Sequence, residues 1–161
     1  MKLLILNGPN LNLLGSREPD IYGRERYDAL CQQIYQHAEA IGCTAEVFQS
    51  NHEGTLIDAI QAAQAGYSGI VINPGAYAHY SYAIYDALRA VDVPAVEVHI
   101  SDITAREPFR AVSVTAPACV KTICGHGLRG YLEAMDYLKE TAPDRGQGAA
   151  PHAGCGGGAC V

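Results

Sequence analysis

Short apolar runs rich in β-branched residues alternate along this chain with longer stretches whose apolar positions recur every three or four residues. Leu3 to Leu6, Ala45 to Phe48, Gly69 to Ile72, Ala95 to Ile100 and Cys119 to Cys124 are predicted strands, each short and apolar. Between the first two, Tyr27, Leu30, Cys31, Ile34, Tyr35, Ala38 and Ile41 form one apolar stripe at helical spacing, and Gly42 follows where a helix C-cap belongs. The segment from Glu53 to Gly66 repeats the pattern through Leu56, Ile57, Ile60 and Ala63. A third helix runs through Ala83, Ile84, Ala87, Leu88 and Val91 before Pro94, and a last one is marked by Leu128, Tyr131, Leu132, Met135 and Leu138.

This alternation predicts an α/β fold: a five-stranded parallel sheet with helices on both faces, since each crossover lays its helix above or below the sheet. Periodicity does not set strand order. A flavodoxin-like order is the expected arrangement, with sites at the C-terminal strand ends. The loops of interest therefore begin at Asn7, Gln49, Asn73 and His99. After Thr141 the composition turns to "APDRGQGAAPHAGCGGGACV", which holds almost nothing able to fill a core. Residues 1–141 are expected to form the folded domain and residues 142–161 a disordered Gly/Ala-rich tail.

Length and charge narrow the classes. A chain of 161 residues is one ordinary domain, able to bury roughly 70% of its unfolded surface. A net charge of -6 without a Lys/Arg cluster argues against nucleic acid or an anionic membrane as partner. It leaves room for a small anion held by a few converging arginines. The opening "MKLLILNGPN" is apolar for only a few residues and lacks a small-residue cleavage site, so it reads as a first strand of a cytoplasmic protein. No stretch approaches the ~20 apolar residues of a membrane helix. Of six cysteines, Cys31, Cys43, Cys119 and Cys124 are expected as free, packed thiols. Cys155 and Cys160 lie in the tail without the close spacing of a zinc site, and with His152 are at best opportunistic ligands for a soft metal.

The strand ends carry more polar residues than plain connections need. "NGPNLN" offers Asn7, Asn10 and Asn12; "QSNHEG" offers Ser50, Asn51, His52 and Glu53; "NPGAYAHYS" offers Asn73, Tyr77, His79 and Ser81. Ser50 or Asn51 is expected to cap the second helix, with Glu53 in its first turn. "AVEVHIS" is different. In a strand Glu97, His99 and Ser101 share one face, so a carboxylate adjoins an imidazole at the end where ligands bind. Such a carboxylate orients the ring and favours its cationic form, which suits a general acid. "DITAREPFR" then supplies Arg106 and Arg110, on one face if the segment is helical, as carboxylate binders.

"GSREPDIYGRERY", residues 15 to 27, is longer and more charged than a connection requires. Gly15, Pro19 and Gly23 suit a loop, and its place after the first strand suits a lid that closes to exclude water. Tyr22 can act as a base if neighbouring cations lower its pKa from about 10, and Arg17 and Arg24 lie in the same loop. Arg24, Glu25 and Arg26 read as the solvated start of the first helix. The chain has no GxGxxG after the first strand, no GxxxxGK[ST], no GxSxG and no HExxH. Acid–base chemistry on a small polar substrate, without cofactor or metal, is the expectation.

Together these stretches resemble one family, the type II 3-dehydroquinate dehydratases. "NGPNLNLLGSREPDIYG", "QSNHEGTLID", "INPGAYAHYS", "EVHISDITAREPFR" and "CGHGLRGYLEAM" look like that family's signatures in the same order, over roughly residues 2 to 140. The resemblance implies a lyase that removes water from 3-dehydroquinate by anti elimination through an enolate, in the shikimate pathway or in quinate breakdown, with no cofactor. It implies a dodecamer built of trimers. By the same resemblance Tyr22 is the base, its phenolate stabilised by Arg17 with Arg106 nearby, and Asn10 positions a water on the enolate oxygen. His99, oriented by Glu97, protonates the leaving hydroxyl. Asn73, His79, Ile100, Ser101 and Arg110 hold the substrate, and Asp86 reaches in from a neighbouring subunit. Asp102 stands where the family commonly has Asn, and Lys121 and His126 are less usual for it.

Other classes fit less well. A flavin-binding module wants a phosphate-cradling Ser/Thr/Gly loop after the first strand, where this chain has "NGPNLN". A receiver domain wants a phosphorylatable Asp ending the third strand, which here ends at Asn73. A degenerate homologue that only assembles conflicts with the intact set of Tyr22, Arg17, Glu97 and His99.

Overall fold

The computed structural model describes residues 1–15 and 26–145. Five parallel strands, β1 (Lys2–Asn7), β2 (Thr44–Gln49), β3 (Gly69–Asn73), β4 (Ala95–His99) and β5 (Lys121–Cys124), pair in the order β2-β1-β3-β4-β5. This is the flavodoxin-like order. Helices α1 (Tyr27–Ala40), α2 (Glu53–Ala62), α3 (Tyr82–Ala90) and α4 (Arg129–Thr141) cover both faces.

Alternation along the central strands divides the interior into two cores. Leu3 and Ile5 of β1, with Val71, Val96 and Val98, meet Leu30 and Ile34 of α1 and Tyr131, Met135 and Leu138 of α4. Leu4 and Leu6, with Ile70 and Ile72, meet Leu56 and Ile60 of α2 and Ile84 and Leu88 of α3. Burying each such side chain contributes about 1.5–3 kcal/mol, so both helical layers are held chiefly by apolar contact. The stripe on α1 is narrower than its spacing suggests: Tyr35 is 50% exposed and Cys31 only half-buried. Gly42 follows α1 with φ 68°, the left-handed conformation that ends a helix.

Several predicted boundaries shift for local reasons. The second helix stops at Ala62 and finishes as a 3₁₀ turn, Ala63–Ala65. β5 begins at Lys121 because Cys119 N–H is taken by Ala116 O at 2.9 Å, closing the turn before it. β4 ends at His99, and Ile100 instead accepts from Gly127 N at 3.0 Å. Neither Ser50 nor Asn51 caps α2; the cap position is His52, without a side-chain bond. Ser50 Oγ accepts from His52 N at 3.0 Å, a local turn that competes with capping. Asn51 Oδ1 accepts from Asn10 N at 3.0 Å and from Gln49 Nε2 at 3.1 Å, which ties the loops after β1 and β2 together. Glu53 does stand in the first turn of α2.

Both central strands are braced at their C-terminal ends from α4. Asn7 and Asn73 are register partners on β1 and β3. The fully buried Tyr131 hydroxyl donates to Asn7 Oδ1 at 2.7 Å and accepts from Asn73 Nδ2 at 2.9 Å. Burial pushes the Tyr131 phenol well above its ordinary pKa, so it stays a neutral donor. Tyr131→Phe strands both amides in the core and is expected to cost about 2 kcal/mol, measured by equilibrium denaturation at fixed protein concentration.

Cys31, Cys43, Cys119 and Cys124 are free thiols, as their context predicts. Residues 142–145 are described and tied to the domain: Asp144 pairs with the Met1 amino group at 3.4 Å, and Arg145 donates to Asp92 O at 2.7 Å. Residues 146–161, with His152, Cys155 and Cys160, lie outside the described residues.

Candidate active site

A cleft of about 750 Å³, its open mouth included, lies at the C-terminal edge of the sheet. Asn10, Asn73, His79, His99, Ile100, Ser101, Arg106 and Arg110 all line it, so eight of the predicted site residues converge. Glu97 stands behind the wall. Arg17 and Tyr22, with Arg24, lie outside the described residues. Asp86 is exposed on α3 and is not among the lining residues of this cleft.

The floor is set by backbone constraints. Asn10 takes φ 67°, the left-handed region that Asn tolerates better than most residues, and its N–H is held by Asn51. Next to it Gly8 N donates to Asn73 O at 2.8 Å, so the loops after β1 and β3 lie in backbone contact. Asn73 Oδ1 accepts from Gly75 N at 3.1 Å, fixing the amide between that turn and Tyr131.

His99 and Glu97 project to the same side of β4, as alternation predicts, with Nε2 2.7 Å from Oε1. Glu97 is fully buried and His99 5% exposed. The bond to Glu97 occupies Nε2 and leaves Nδ1 as the other ring nitrogen of a side chain that lines the cleft. His79 is oriented from the opposite direction, Nδ1 donating to Val112 O at 2.9 Å.

Arg106 and Arg110 do not share a helix face. Asp102 caps a 3₁₀ turn at Ile103–Ala105, Pro108 starts a second at Pro108–Arg110, and Arg106 between them is extended. Both still line the cleft, flanking the half-exposed Glu107 at 3.5 and 3.2 Å. Glu107 is held below the usual carboxylate range by its own backbone N–H and by both arginines. Such solvent-screened pairs are weak. Arg110 Nε is buried, and its 3.2 Å approach to Glu107 Oε2 falls short of good hydrogen-bond geometry. Asp102, the acidic departure, is turned to local use: Oδ1 accepts from Thr104 N at 2.9 Å and Thr104 Oγ1 at 2.7 Å, which keeps it ionised.

Sequence reasoning missed part of the wall. Leu11, Leu13, Leu14 and Ile103 give the cleft an apolar side, which local patterning had no means to assign to it. It also missed Ser113 and Thr115, whose hydroxyls reach Glu97 at 2.6 Å each. Alternation in "VSVT" is their one local signal. Among the described residues no group of three or more His, Cys, Asp or Glu is placed to hold a metal, and no helix is long and apolar enough to cross a membrane.

Fold and site together define an α/β enzyme of the flavodoxin-like class, with a buried, hydrogen-bonded Glu–His pair and two arginines at the carboxyl edge of its sheet. The family model described as Dehydroquinase class II matches residues 1–139. The 3-dehydroquinate dehydratase of Clostridium acetobutylicum is 54% identical over 139 residues, 86% of this chain and 96% of that protein. Its counterpart in Thermotoga neapolitana is 51% identical over 144 residues, 89% of this chain and 98% of that protein. The crystal structure of type II dehydroquinase from Butyrivibrio crossotus superposes with a TM-score of 0.85 at 54% identity, covering 86% of this chain and 97% of that one. The chain belongs to the class II dehydroquinase family.

Proposed function

We propose that this protein eliminates water from 3-dehydroquinate to give 3-dehydroshikimate, by anti elimination through an enolate. The observation that carries the reading is His99 on the cleft wall, backed by the buried Glu97 and sharing the cleft with Arg106 and Arg110. A proton source and cations for a carboxylate are what this elimination asks of a protein.

In the proposed reaction the Tyr22 phenolate, stabilised by Arg17 with Arg106 nearby, takes the proton from C2. The electron pair moves onto the C3 carbonyl oxygen as an enolate, which a water positioned by Asn10 stabilises. The enolate then collapses and expels the C1 hydroxyl with a proton from cationic His99, so one water leaves. Tyr22 ends as the phenol and His99 as the neutral ring; return of the proton from one to the other restores the enzyme. Asn73, His79, Arg110 and the backbone amides of Ile100 and Ser101 hold the substrate's carboxylate and hydroxyls. Each of these described residues lines the cleft.

Asp86 acts on the cleft of a neighbouring subunit, in a trimer that builds a dodecamer in the cytoplasm. Its exposure on α3, away from its own cleft, supports that reading, as do the exposed Tyr80 and Tyr82 beside it. Purified protein mixed with 3-dehydroquinate and a chelator is expected to develop the ultraviolet absorbance of a conjugated enone, and to keep doing so after borohydride treatment. A flat trace sinks the assignment, and loss of activity to borohydride points to a lysine Schiff base instead.

A further inference from the structure

The two oxygens of Glu97 accept three hydrogen bonds. Oε1 takes His99 Nε2 at 2.7 Å and Ser113 Oγ at 2.6 Å; Oε2 takes Thr115 Oγ1 at 2.6 Å. The hydroxyl-bearing segment is itself fixed: Val114 N donates to Ala78 O at 2.7 Å, Ala116 N donates to Ser113 Oγ at 3.1 Å, and Thr115 is fully buried. A fully buried carboxylate is costly unless its lone pairs are satisfied, and no water-exposed face remains on Glu97 to do so.

We propose that Ser113 and Thr115 are positioning residues for the reaction: their hydroxyls hold Glu97 as a carboxylate, so that the proton the pair shares resides on His99, ready to be donated. The inference rests on His99 being the acid. The other groups around the pair do not supply this effect. On the neighbouring strands the register partners of Glu97 are Ile72 and Thr122, which do not titrate in the working range. Cys119 and Cys124 are pushed up by burial and by the Glu97 charge, and stay protonated. His79 is engaged with Val112. Arg106 and Arg110 line the same cleft as His99, and their positive field favours the neutral ring. The hydroxyls therefore oppose the arginines in deciding where the proton sits.

Thr115→Val keeps the shape of the side chain but leaves Oε2 buried without a donor. A hydrogen bond to a charged group is worth at least about tenfold in an equilibrium, so the proton population shifts from His99 toward Glu97. Turnover is expected to fall severalfold, in step with the lost population of cationic His99, with KM little changed. Because the form protonated on Glu97 is now populated and holds the pair's proton to higher pH, the alkaline limb of the kcat–pH profile should move up by the logarithm of the same factor, less than one pH unit. Thr115→Ser should restore both. Independently of activity, infrared spectra of Thr115→Val should gain the band of a protonated carboxylic acid that the parent protein lacks at the same pH.

A Thr115→Val protein that is less stable but shows neither the displaced limb nor the new band overturns the inference, as does wild-type turnover in that variant. His99→Asn separates the two levels. If it turns over normally the acid assignment itself fails, whereas an inactive His99→Asn beside an indifferent Thr115→Val sinks only the role of the hydroxyls.

Discussion

Tyr22→Phe is expected to lower kcat on 3-dehydroquinate by about three orders of magnitude or more while leaving substrate affinity nearly intact. The exchange removes one oxygen and keeps the ring, so on the proposed mechanism the base alone is lost. General acid–base catalysis contributes typically about 10²–10⁴-fold, and in the proposed reaction the proton comes from carbon, where no other group assigned to the cleft acts as base. In the proposed reaction binding relies on Asn73, His79, Arg110 and the amides after β4, and the substitution alters none of those groups. Steady-state kinetics with a separate calorimetric Kd checks both halves. Turnover within tenfold of the parent rules Tyr22 out as the base, and a large loss of affinity recasts it as a binding residue.

The largest expected effect on stability comes from a single methyl group. In Gly8→Ala the added Cβ would collide with the carbonyl oxygen of Pro74 and stand 2.6 Å from its carbon. Both are backbone atoms, and Gly8 N is simultaneously bonded to Asn73 O at 2.8 Å. No rotamer change relieves the overlap, so the loops after β1 and β3 must separate and lose that bond. Overpacking costs about 1–3 kcal/mol and the broken bond adds about 1 kcal/mol. Because the same loops carry Asn10 and Asn73, turnover should fall with stability. Thermal melts and kinetics on one preparation test this, and an unchanged melting temperature contradicts the close approach.

The sheet was legible because period-two alternation in the strands and period-three-to-four stripes in the helices are local patterns. Leu3 and Ile5 go to one core and Leu4 and Leu6 to the other. The Glu97–His99 pair was legible for the same reason, two residues apart on one strand. Arg106 and Arg110 were correctly placed at the cleft but in the wrong conformation. Pro108 disfavours helical geometry in the residue before it, and Asp102 bonds its own backbone two residues on, so the segment breaks into two short turns. Tyr131 was read only as core because its spacing fits the α4 stripe; the partners of its hydroxyl lie on β1 and β3, and no local pattern reports them. Ser113 and Thr115 were invisible on similar grounds, since they come from an irregular connection and meet Glu97 through the fold. Family resemblance supplied the substrate, which spacing alone does not provide.

The brace between Tyr131 and Asn7 spans 124 positions of sequence, which bears on the order in which the protein is made. All five strands among the described residues, and every described residue that lines the cleft, precede Tyr131 in the chain. A ribosome therefore releases the described cleft residues before the helix that braces Asn7 and Asn73. Pairing of such distant segments is slow and has to await closure of a long loop. A nascent chain ending before Arg129 would hold its full set of cleft residues yet lack the clamp on Asn73, so competence arrives with the final helix rather than with the last reactive group.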